Sequence, residues 1–223
     1  YDPGIFKAIF TAGGPGSGKS YVASTLFGMP EKMPFVSAKG LKSVNSDKYF
    51  ETYLNMSGLS SDIAKLSPAE FDKAMELRKK SKSARDSALK NYINGRLGIL
   101  IDGTGKDYGN ISKQKQRLEA VGYDCFMVFV NTDLDVALDR NMTRPRKLPS
   151  ELVKSSWQAV QNNMGKFQGL FGAGNMLIVD NSEYKEFPNV VKKGANRFIN
   201  KPVQNPVAKA WIKKELELRK SKW

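Results

Sequence analysis

Gly13-Gly14-Pro15-Gly16-Ser17-Gly18-Lys19-Ser20 is the stretch on which the reading of this chain turns. Its spacing is G-x-x-x-x-G-K-[ST]. Ile5-Phe6-Lys7-Ala8-Ile9-Phe10-Thr11 precedes it as a short apolar run with the character of a buried strand. Residues 21–26 follow it as the opening of a helix. Strand, glycine-rich turn and helix in that order make a phosphate-binding loop. The glycines let the backbone turn tightly enough for its N–H groups to converge on one anion. The helix N-terminus adds partial positive charge. All eight residues are therefore expected to cradle nucleotide phosphates, with Lys19 reaching the β- and γ-phosphates and the Ser20 hydroxyl serving Mg²⁺.

Outward from the loop, apolar runs and helical stretches alternate. That is the pattern of a three-layer α/β fold, a parallel sheet with helices on both faces. Strands are expected at 5–11, 41–45, 97–101, 123–130 and 176–179. Ser67-Pro68-Ala69-Glu70 has the form of a capping box with proline at the first helical position, opening a long polar helix toward Asn94. Further helices are expected at 111–121, from a cap at Thr132 or Asp133 to about Met142, and at 152–167, 187–198 and 207–220. The chain has 223 residues, enough for one domain with a full core. We divide it into a domain over 1–200 and a basic helical extension over 201–223.

Composition narrows the chemistry. There is no histidine, so acid–base work falls to carboxylates, lysine or tyrosine, and a zinc site is not expected. The single cysteine, Cys125, lies in an apolar run and reads as a buried free thiol suited to a reducing compartment. No apolar run is long enough for a membrane span, and no signal-peptide pattern opens the sequence. The net charge is +14, much of it from Lys192 onward. Two readings of that tail stand side by side: a surface for polyanions, or a solvated basic helix.

Ligands of an open α/β sheet bind beyond the carboxyl ends of its strands. The polar residues there are the phosphate loop, Ser46-Asp47, Asp102-Gly103-Thr104 and Asp180-Asn181-Ser182. Asp102 closes a short apolar strand, where an acid can hold Mg²⁺ through its water shell. The alternative is a turn aspartate, common before glycine; beside a phosphate loop we favour the metal. Asp47 is the candidate general base, since a hydroxyl that attacks a phosphoryl group must lose its proton to something. Its alternative role is to cap a helix beginning near Lys48. Arg140, Arg144 and Arg146 crowd a segment with two prolines, and Arg140 and Arg144 are four apart, on one face if helical. Guanidinium groups on a closing loop would meet charge developing on the γ-phosphate. A merely basic surface loop is the other reading.

Taken in order, residues 13–20, Asn45-Ser46-Asp47, Ile101-Asp102-Gly103-Thr104 and Arg140/Arg144/Arg146 resemble the P-loop kinases of the zeta toxin, polynucleotide kinase and nucleoside monophosphate kinase group. The likeness, to zeta-toxin-like proteins above all, spans roughly residues 6–182. It implies an ATP-dependent kinase with Mg²⁺, in which Asp47 matches the catalytic aspartate and Thr104 a substrate-side hydroxyl. Residues 139–149 match the arginine lid, and Asn181 lies in the loop near the adenine. Arg85, from the basic run Arg78, Lys79, Lys80, Lys82, Arg85, joins Asp47 and Thr104 as an acceptor-side candidate. The basic tail with Trp211 and Trp223 favours a nucleic-acid or nucleotide-type acceptor, a polynucleotide 5′-hydroxyl or a hydroxymethylated bacteriophage DNA base, although Trp211 reads equally well as the core-facing residue of an amphipathic helix. The alternatives are a zeta-toxin-like kinase of a UDP-linked amino sugar, and an NTPase or nucleic-acid-binding module without phosphotransfer. A GTPase would need N-K-x-D, which Asn131-Thr132-Asp133 does not supply, and a motor ATPase would need a second acid where Gly103 stands. The expected setting is bacterial or phage-infected cytoplasm, with no membrane partner.

Overall fold

The computed structural model describes residues 4–30, 36–144, 147–183 and 186–221. In chain order these form β1 (Lys7–Ala12), α1 (Lys19–Phe27), β2 (Lys42–Val44), α2 (Ser46–Met56), α3 (Pro68–Asn94), β3 (Ile99–Asp102), α4 (Tyr108–Ala120), β4 (Asp124–Asn131), α5 (Leu134–Thr143), α6 (Ser150–Phe171), β5 (Met176–Asp180), α7 (Asn189–Asn200) and α8 (Pro206–Lys220). The strands make one parallel sheet in the order β2-β3-β1-β4-β5. β1 is flanked by β3 and β4, so the loop that leaves β1 emerges where the chain switches direction across the sheet, the place such sheets keep for ligands.

The sheet is covered on both faces, which is why β1 is buried at every residue rather than alternating. Ala8, Phe10 and Ala12 face a core built with Ile111 and Leu118 of α4 and Val160, Phe167 and Phe171 of α6. Ile9 faces the other way, onto Val22, Leu26 and Phe27 of α1 and Ala195 and Ile199 of α7. α2 and α3 make a smaller core of their own around Phe50, Leu54 and Ala74. The capping box is formed: Ser67 Oγ accepts from Glu70 N, and Ser67 N donates to Glu70 Oε2 at 2.9 Å. Among the described residues no helix is long and apolar enough to cross a membrane.

Several expected boundaries shift for identifiable reasons. β1 starts at Lys7 because Phe6 takes a left-handed backbone (φ 54°) and bonds by its N–H to Arg96 O at 3.1 Å. α2 begins at Ser46, and its cap is Asn45, whose Oδ1 accepts from Asp47 N at 2.7 Å. α4 begins at Tyr108, before the expected 111, because Asp107 caps it. Asp133 occupies the cap position of α5 without a capping side-chain bond. α5 ends at Thr143, and Arg144 is extended (ψ 145°), as a residue before proline prefers. Arg140 and Arg144 therefore do not share a helical face, contrary to the spacing argument.

α8 lies at the amino ends of the strands. Ala208 is buried there and the Trp211 ring meets Phe6 edge-on at 5.5 Å, so Trp211 faces the core. Trp223 lies outside the described residues. Cys125 is a buried free thiol, pushed well up by burial.

Candidate active site

The phosphate loop is braced from behind. The carbonyl of Ser17 accepts from Asn181 Nδ2 at 2.8 Å and from Thr132 Oγ1 at 3.1 Å. Trp157 Nε1 donates to Thr132 O at 2.7 Å, and the Arg140 guanidinium donates to Asn181 O at 2.7 Å. Gly13 N bonds Thr104 O at 2.9 Å, tying the loop to the segment after β3. Gly16 is left-handed (φ 79°), and a Cβ there would lie 2.2 Å from Ala137 O, so α5 leaves room for glycine alone. The loop is thus held in shape by β4, α5, α6 and the segment after β5. Thr132, Trp157 and the side chain of Asn181 act as supports that local sequence does not announce.

Lys19 lies across this loop, its Nζ donating to Gly13 O at 2.7 Å and Gly14 O at 3.3 Å. Burial pushes its pKa below the ordinary lysine value. Asp102 and Asp47 oppose that shift, and Arg144 adds to it. All four groups are therefore within electrostatic reach of one another.

Parallel pairing sets Thr11 beside Asp102. Asp102 accepts from Thr11 Oγ1 at 2.9 Å and from Asn45 Nδ2 at 2.6 Å. Asn45 thus caps α2 with its oxygen and holds Asp102 with its nitrogen, linking the β3 carboxylate to the helix that carries Asp47. Asp47 itself sits in the first turn of α2, where the helix N-terminus favours its charge. It forms an ion pair with Arg78 of α3. Neither Asn45 nor Arg78 stands out as a site residue in the sequence. The cap signal at Asn45 was there to be read, whereas Arg78 was one of several charges on a polar helix.

These groups surround a cleft of about 550 Å³. Its walls are the phosphate loop, the first turns of α2, Arg78, residues 102–104 and the end of α5. Five cationic side chains (Lys19, Lys48, Arg78, Arg140, Arg144) face three carboxylates (Asp47, Glu51, Asp102), a surplus suited to a polyphosphate. Buried Asn141 is tied to Leu148, its Nδ2 donating to Leu148 O at 2.7 Å and its Oδ1 accepting from Leu148 N at 3.0 Å. Arg146 lies outside the described residues. Arg85 is not on the cleft wall; its guanidinium pairs with Asp86 at 2.6 Å. Asn181 is buried, and its amide is engaged with the loop rather than facing the cleft. The Ser20 hydroxyl and Asp102 carboxylate share the cleft as hard oxygen donors. That pair fits Mg²⁺, which takes few protein ligands beside water and phosphate.

Sheet order, phosphate loop and cleft together define a P-loop kinase fold. The zeta toxin family profile matches residues 6–192, and the chain belongs to that family of P-loop kinases. Among solved structures it is similar to the AvrRxo1-ORF1:AvrRxo1-ORF2 complex with sulphate ions, at TM-score 0.59 and 16% identity over 81% of this chain and 56% of that one. A structure of that complex with ATP matches at TM-score 0.56, also 16% identical, with the same coverage of both chains. The PezAT chromosomal toxin–antitoxin system of Streptococcus pneumoniae matches at 0.55 and 14% identity, over 87% of this chain and 86% of that one. At these identities the likeness is one of fold, and this chain spans little more than half the length of the chain it matches in the AvrRxo1-ORF1:AvrRxo1-ORF2 complex.

Proposed function

We propose that this chain transfers the γ-phosphate of ATP to a hydroxyl, and that its acceptor is a nucleotide-linked amino sugar. The observation that carries the reading is the two-sided cleft. Lys19, Ser20 and Asp102 line it from the phosphate loop and the end of β3, and Asp47 and Arg78 line it from α2 and α3, within one space of about 550 Å³. Residues 1–200 are the catalytic unit, with 139–149 as its lid and 201–223 as an extension.

The loop amides and Lys19 bind and orient the β- and γ-phosphates, for which phosphate oxygens replace the Gly13 and Gly14 carbonyls as partners of Nζ. Ser20 and Asp102 would hold Mg²⁺, which when bound supplies charge neutralisation between the phosphates. Asp47 accepts the proton of the acceptor hydroxyl, and Thr104 lies beside that path. Arg140 and Arg144, which line the cleft, meet the negative charge that builds on the transferring group. Arg140 also braces Asn181, so its loss would disturb the loop as well as the charge.

Family membership supports the amino-sugar acceptor over a polynucleotide end or a modified DNA base. So does the position of the basic tail. α8 packs at the amino ends of the strands, away from the cleft at their carboxyl ends, so its lysines do not border the acceptor side. The test is transfer of labelled γ-phosphate to a UDP-linked amino sugar, a 5′-hydroxyl oligonucleotide, hydroxymethylated DNA and a nucleoside monophosphate. Label should move to the sugar nucleotide and to none of the others. Label on an oligonucleotide would overturn the acceptor, and release of free phosphate alone would overturn the transferase.

A further inference from the structure

Asp47, the proposed base, is already engaged by a cation of the cleft wall. Arg78 reaches Asp47 from another helix, 31 residues away, and stands on the cleft wall while doing so. We infer that Arg78 is a positioning residue that holds Asp47 away from reaction until an acceptor binds, and that the acceptor releases it by presenting an anionic group to the guanidinium. This rests on the kinase reading above.

Two observations support the exchange. The pair is half open to solvent, with the Arg78 and Asp47 side chains 31% and 46% exposed, so it is weakly held and open to competition from another anion. The Arg78 head group is also held against an aromatic face. Its guanidinium carbon lies 5.1 Å from the Phe50 ring centroid. The α2–α3 core that fixes Phe50 therefore keeps the head group at the wall. A planar guanidinium that loses a carboxylate can take a phosphate in the same fork geometry.

The step balances simply. With Arg78 on the anion of the acceptor, Asp47 takes the hydroxyl proton. The acceptor oxygen bonds to the γ-phosphorus, and the bond from that phosphorus to the bridging oxygen breaks to leave ADP. Without an acceptor, Arg78 stays on Asp47 and water is not activated, so ATP is spared.

Arg78→Met leaves an apolar side chain beside Phe50 but removes both fork and charge, and Arg78→Lys keeps the charge without the fork. ADP release would be measured without acceptor, and transfer to a UDP-linked amino sugar and to the same sugar lacking UDP. Arg78→Met should release ADP without acceptor at least about fivefold faster than the parent and raise the KM of the UDP-linked acceptor about tenfold. The KM of the free sugar should stay put, and Arg78→Lys, with the charge but not the fork, should lie between Arg78→Met and the parent in both effects. A folded Arg78→Met with the parent's hydrolysis rate and KM would overturn the inference, as would equal loss on both acceptors. Should Arg78→Met not fold, Arg78→Lys decides: ADP release and a KM for the UDP-linked acceptor that both equal the parent's would overturn the inference, because a point charge does not reproduce the fork. A parent protein that transfers to no acceptor removes the kinase reading and the latch with it, whereas transfer indifferent to Arg78 removes the latch alone.

Discussion

The two ends of the sheet use the same materials in opposite ways. At the amino ends, Lys7 is buried and Asp124 takes its ammonium at 3.1 Å together with the backbone N–H groups of Gln204 at 2.8 Å and Asn205 at 2.9 Å. That pair anchors the segment leading into α8. At the carboxyl ends, cations outnumber carboxylates around an open cleft, and Lys19 rests on loop carbonyls. Burial lowers the pKa of both lysines. What differs is the partner. Lys7 is matched by a carboxylate that also ties down the chain, whereas Lys19 rests on loop carbonyls that an incoming phosphate can displace.

The sharpest way to break this contrast is at the cleft. Asp47→Asn or Lys19→Met should cut phosphoryl transfer by about a thousandfold, roughly 4 kcal/mol in barrier. Each should leave the urea midpoint almost unmoved. A large loss of stability in either would mean that the carboxyl end is structural too. At the other end the expectation reverses. Asp124→Ala strands a buried ammonium and should lower stability by about 3 kcal/mol while leaving turnover per folded molecule intact. Lys7→Met should cost much less, about 1 kcal/mol, because Asp124 keeps two N–H donors and is partly solvated. Equal effects from the two would show that the pair acts as a unit.

A pH titration sharpens the same point. Burial holds the Lys7 ammonium below the ordinary lysine value of 10.5, against the pull of Asp124. Between the folded and the unfolded value the unfolded chain binds more protons at this site, so stability should rise with pH through that window. Lys7→Met should abolish that alkaline gain, read as denaturant midpoints at several pH values. The smallest effect lies away from both ends. Gly165 and Gly169 sit in α6 with open space where a Cβ would go, so alanine at each should add about 0.5–1 kcal/mol of stability without touching activity.

The contrast also marks where sequence reading stops. The phosphate loop is legible because its strand, turn and helix are contiguous, and the cap at Ser67 because its reciprocal bonds span three residues. The partners of these elements are not contiguous. Asn181 reaches Ser17 across 164 positions, Lys7 reaches Asp124 across 117, and Arg78 reaches Asp47 across 31. Arg85 shows the cost of choosing by charge alone. It and Arg78 lie on one helix in one basic run, and only the packing of α3 on α2 selects which of them meets the cleft.

The sequence by itself determined a parallel α/β fold with a phosphate loop after its first strand, and the carboxyl edge as the place for Asp47 and Asp102. Those features follow from periodicity, glycine placement and chain direction, which are local. Tertiary structure alone decided that Asn45 bridges Asp102 and the helix of Asp47, that Asn181 braces the loop, that Arg78 holds Asp47, and that the basic α8 sits at the far end from the cleft. Each of these depends on which helix packs against which strand. Burial sets that choice over the whole chain, and no short window of residues contains it.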